Sequence, residues 1–231
     1  MSNPYKDASE ELKKIAVHLP EKDCDQVFCK LHDFLTSDDD DKLGHNCIAC
    51  NLNDSVEKIY IFCKNAKHQT GPTDNNMEYN FTLYILLCYL LVEKLHTVFK
   101  LIGITWDYAE DNWSVLIEIR KWANFIKHPK GFLFSHHPEY VFQNSKQINQ
   151  HNNYQIIDYN FVTKFYTRED EGKYKQIIKE IGNKDNLLVI LPGPKRISEE
   201  LVIVCKKFVS AIELNPHFQD ILKKHTTIED Y

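Results

Sequence analysis

An almost unbroken apolar run, FTLYILLCYLLV at positions 81–92, constrains the fold of this chain more than any other feature. Apolar surface on that scale must leave water, and its removal is the main driving force of folding. The run ends at Glu93, Lys94 and His96, well short of the roughly 20 apolar residues that a bilayer crossing requires. The spacing around it extends to a helix over about residues 77–102, stopped by Gly103. The expectation is a buried central helix with others packed around it, and no membrane crossing.

Apolar residues recur at helical intervals over 5–18, 22–36, 113–127 and 198–214, with Ser198 as the N-cap of the last. A further helix over 56–67 has Asn53, Asp54 and Ser55 as candidate caps, and NPHFQDILKKH reads as a short terminal helix. SDDDDK at 37–42 is a solvated acidic linker, and HQTGPTDNN at 68–76 is a loop by composition. Between the helices the pattern changes. Residues 131–142 and 154–167 are rich in aromatic and β-branched residues and read as two strands of a hairpin, with NLLVILPG at 186–193 as a third strand candidate. The fold class expected is mainly α: a helical bundle with a small β-hairpin or three-stranded insert at about 131–192. Residues 1–52 form an N-terminal helical, cysteine-containing segment, and 53–231 form the bundle with its insert.

The net charge of −5, from 28 basic and 33 acidic residues, gives no global field for nucleic acid, so any contact with RNA must be local. The basic residues that could supply it are Arg120, Lys121, Lys127, His128 and Lys130, followed by His136 and His137 and later by Lys195 and Arg196. MSNPYKDASEELKK at the N-terminus has no apolar run and does not read as a secretory signal. Seven cysteines in such a chain read as reduced thiols of a cytoplasmic protein. The seven glycines make neither GxxxxGK[ST] nor GxGxxG, and GxSxG and HExxH are absent. These absences remove the usual nucleotide-binding, serine hydrolase and zinc protease readings.

The segment IEIRKWANFIKHPKG at 117–131 carries the chemistry. Arg120, Asn124 and His128 fall at intervals of four and stack along one stripe. Val115, Ile119, Trp122, Ala123 and Ile126 point the other way, so the stripe faces out from the core. Pro129 ends the helix and sets His128 at its last turn, where the helix dipole favours the imidazolium. A histidine titrating near neutrality beside a fixed cation and an amide suits acid/base cleavage of a phosphodiester. Polar residues on any solvated helix face would look much the same. Ile117 and Phe125 set apolar surface next to this stripe, as a face covered by a partner would need.

A second constellation has metal-like spacing. Cys47, Cys50, Cys63 and His68 form C-x2-C-x12-C-x4-H, the two close pairs that a tetrahedral structural zinc takes. The alternative for Cys63 is a small hydrophobe turned inward from a helix.

A helical bundle with a polar residue, three spacers and a histidine near a helix C-terminus resembles the HEPN superfamily of prokaryotic toxins and defence nucleases. The family motif is typically an arginine, a polar residue that is often asparagine, three spacers and histidine. Here Asn124, Phe125, Ile126, Lys127 and His128 supply the polar-x3-His part. Ala123 stands where the arginine would be, and Arg120 lies one helical turn earlier. The resemblance covers about residues 56–130 and 197–225. It implies a homodimer whose two stripes form a composite, metal-independent ribonuclease site with no catalytic cofactor. His128 would be the general acid/base, Arg120 or Lys127 would stabilise the phosphorane, Asn124 would orient the phosphate or the imidazole, and Lys121, Lys127 and Lys130 would bind RNA. It also implies a toxin or antiviral system in which a neutralising antitoxin or a sensor holds the enzyme in check. The displaced arginine leaves open a non-catalytic relative, a helical adaptor or sensor with a zinc staple.

Overall fold

The structure is a computed structural model and describes residues 3–15, 27–34, 48–67, 75–103, 113–127, 154–158 and 186–224. It is mainly α. In chain order the elements are α1 (Pro4–Leu12), a 3-10 helix (Val27–Phe34), α2 (Ile48–Asn65), α3 (Asn75–Leu101), α4 (Ser114–Lys127), strands β1 (Tyr154–Asp158) and β2 (Asn186–Ile190), α5 (Pro194–Glu213) and α6 (Pro216–Lys224). The chain divides into two compact units, one of Met1–Ala66, Tyr84–Ile119 and Pro194–Tyr231, the other of Lys67–Leu83 and Arg120–Gly193.

In the first unit α1 packs on α2 and α5, and the 3-10 helix packs on α2, α5 and α6. Asn3 caps α1: its side chain accepts from the Tyr5 N–H at 3.0 Å, and Pro4 follows at a position where a missing N–H is harmless. The same Asn3 amide donates to the Ala66 carbonyl at 2.9 Å, tying the start of α1 to the end of α2. Tyr5 meets the Phe62 and Tyr84 rings edge-on, each at 5.9 Å. Phe99 meets the Trp113 and Phe208 rings edge-on, at 5.4 and 5.2 Å. Lys207 lies 4.5 Å over the Trp113 ring.

Helix α2 begins at Ile48, about two turns before its predicted start near Val56. Ile48, Leu52, Val56, Ile59 and Cys63 are all buried and repeat every three or four residues, so the apolar stripe runs unbroken through the candidate caps. Ser55 is therefore a helix-interior residue, and its hydroxyl donates back to the Asn51 carbonyl at 3.0 Å. Likewise α5 begins at Pro194, so Ser198 is buried inside the helix and does not cap it.

Gly103 does stop α3. It takes φ +70°, the left-handed conformation that favours glycine, and its N–H donates to the Lys100 carbonyl at 3.2 Å. Within the first unit, α3 buries Tyr84, Ile85, Cys88, Leu91, Val92 and Leu95, while Leu86 and Leu87 are half-buried and Leu90 is 54% exposed. The central helix is thus buried on one face only. Over Tyr79–Leu101 it is long and apolar enough to cross a membrane by length and composition, and 44% of that window is buried inside the fold. A one-sided core helix meets the same description.

In the second unit, the Asn80 side chain donates to the Lys67 carbonyl at 2.8 Å, and the Phe81 and Trp122 rings meet edge-on at 5.3 Å. β1 and β2 pair antiparallel, from Tyr154 opposite Ile190 to Asp158 opposite Asn186. The two described strands fall on the second and third strand candidates. The first candidate, 131–142, lies outside the described residues.

Candidate functional site

α4 follows its predicted span almost residue for residue. Val115, Leu116, Ile119, Trp122 and Ala123 are each at most 1% exposed and make its inner face. On the other side Asn124 and Lys127 are exposed, and Arg120, Lys121, Ile117 and Ile126 are half-buried. At 100° per residue Arg120, Asn124 and Lys127 lie within about 60° of one another, and Arg120 and Asn124 are about 6 Å apart along the axis. One outward ridge therefore carries a guanidinium, an amide and an ammonium. His128 and Lys130, the remaining members of the predicted site, lie outside the described residues, as do His136 and His137.

The single carboxylate of α4, Glu118, lies about 160° around the helix from Arg120. It is engaged by Arg196 of α5 at 2.6 Å, and the same guanidinium reaches Glu200 at 2.8 Å. Half-burial works against the charge on Arg196, but Glu118 first and Glu200 second more than offset this and hold its pKa above the ordinary value. Lys195 pairs with Glu199 at 3.7 Å. The basic residues near position 195, which on sequence alone could extend a phosphate-binding surface, thus have acidic partners on the first turns of α5. No local pattern announces the Glu118–Arg196 pair, whose members are 78 residues apart.

α2 keeps two of the four predicted zinc ligands, Cys50 and Cys63, apart. Cys50 and Cys63 lie on one unbroken helix, 13 residues and so about 20 Å apart along its axis (13 rises of 1.5 Å), whereas thiolates on one zinc, each about 2.3 Å from the metal, lie within roughly 4 Å of each other. Cys63 is fully buried, and burial pushes its thiol up to about 12, which keeps it neutral. Its place is that of a small hydrophobe. Cys47 and His68 lie outside the described residues. Among the described residues, no group of three or more His, Cys, Asp or Glu could hold a metal ion.

A polar cluster that the sequence did not announce lies inside the first unit. Tyr84 donates to the Pro194 carbonyl at 2.9 Å, and with its one proton so used it accepts from the Ser198 hydroxyl at 2.8 Å. Burial raises the pKa of Tyr5, Cys63, Tyr84 and Cys88 together, and the closeness of these groups raises those of Tyr5, Tyr84 and Cys88 further. All four are protonated and unreactive at neutral pH.

No protein-family model, curated protein or solved structure matches this chain.

Proposed function

We propose that this protein is a metal-independent endoribonuclease of a prokaryotic toxin or anti-phage defence system, acting in the cytoplasm as a homodimer in which two α4 ridges form one composite site. The observation that carries this reading is the outward ridge of α4, with Asn124 exposed and Arg120 half-buried one turn apart. In the proposed reaction His128 takes the proton from a ribose 2′-hydroxyl, whose oxygen attacks the adjacent phosphorus. Arg120 stabilises the extra negative charge of the phosphorane, and Asn124 orients the phosphate. The bond from phosphorus to the 5′-oxygen breaks and that oxygen takes up a proton from water, while His128 returns its own proton to solvent, leaving a 2′,3′-cyclic phosphate and a 5′-hydroxyl. Lys121, Lys127 and Lys130 would hold the RNA backbone, and an antitoxin or sensor would keep the dimer silent.

The test is cleavage of total RNA by the purified protein in excess EDTA. Wild type is expected to yield cyclic phosphate ends, and His128→Ala and Arg120→Ala are each expected to lose about 100-fold or more of that rate. A wild type that leaves RNA intact sinks the enzyme reading. The adaptor reading would then take its place.

A further inference from the structure

We draw no further inference here: the strongest candidate, the outward apolar face of α3 around the exposed Leu90 and Leu101, carries nothing because nothing in the structure shows what covers it.

Discussion

The interior around Tyr84 and the outer ridge of α4 both gather polar residues and treat them in opposite ways. Around Tyr84, two phenols, two thiols and a serine hydroxyl are shut away from water. The Tyr84 and Ser198 hydroxyls bond to each other, and burial holds the thiols neutral. On α4 an amide and an ammonium stand in solvent with a half-buried guanidinium beside them. A nucleophilic or metal-binding residue type therefore says little until its access to water is known. Burial turns a thiol into core material, whereas exposure lets a charged row meet an anionic substrate. Cysteine spacing points to chemistry where Cys63 has packing, and the polar stripe points to the side on which α4 leaves Asn124 exposed and Arg120 half-buried.

The contrast breaks first if the interior tolerates change. Tyr84→Ala removes a fully buried ring and should lower the unfolding free energy by about 3–5 kcal/mol in a urea titration, while Tyr84→Phe, which strips only the hydroxyl from Ser198 and Pro194, should lower it by about 1–2 kcal/mol. Losses below about 0.5 kcal/mol for both would mean that the cluster is not the tight interior described.

The thiols sharpen the comparison through pH. Cys63 and Cys205 have folded-state pKa values raised from 9.0 to about 12 by burial. Above pH 9 the unfolded chain releases protons that the folded chain keeps. The stabilisation from holding these thiols neutral is therefore complete below pH 9 and falls away as pH rises towards 12. The slope is about 1.4 kcal/mol per pH unit for each thiol. Urea midpoints at pH 8, 9.5 and 10.5 should decline accordingly, and Cys63→Ala should flatten the decline. A midpoint that stays constant to pH 10.5 would contradict the buried, neutral state.

At the surface the expected effects are small. Arg196→Met breaks the fork to Glu118 and Glu200, yet Arg196 is 45% exposed on its side chain and solvent screens the pair, so a loss of at most about 1 kcal/mol is expected. The difference between wild type and variant should shrink further in 1 M salt. A loss above about 2 kcal/mol would place this pair with the interior and not with the surface.

Much of this arrangement is legible in the residue order. The 3.6-residue period locates α4 to within a residue, Gly103 marks the end of α3, and the helical wheel puts Asn124 outside and Trp122 inside. The errors have physical causes. Asn53, Asp54 and Ser55 look like caps, but the apolar stripe through Ile48 and Leu52 outweighs three short polar side chains, and α2 runs on. The C-x2-C-x12-C spacing ignores what lies between the cysteines, and a helix there carries Cys63 about 20 Å along the axis from Cys50. The run at 81–92 reads as a buried central helix, and the helix is buried on one face while Leu90 is left exposed. Glu118–Arg196 and Tyr84–Ser198 join residues far apart in sequence, where no periodicity reaches.

Asn124 gives the finest test, because stability and activity should part there. Its exposed side chain lies inside α4, and asparagine is a poorer helix former than alanine. Asn124→Ala should therefore leave the unfolding free energy unchanged or raise it by about 0.5 kcal/mol. On the enzyme reading the same variant loses a group that orients the phosphate, and its RNA cleavage should fall by roughly tenfold, a barrier increase of about 1.4 kcal/mol. A stabilised protein that cleaves more slowly would mean that this position gives up helix stability in return for function. A stabilised protein with wild-type cleavage would return Asn124 to the class of residues that merely meet water, leaving Arg120 and His128 to carry the chemistry without it.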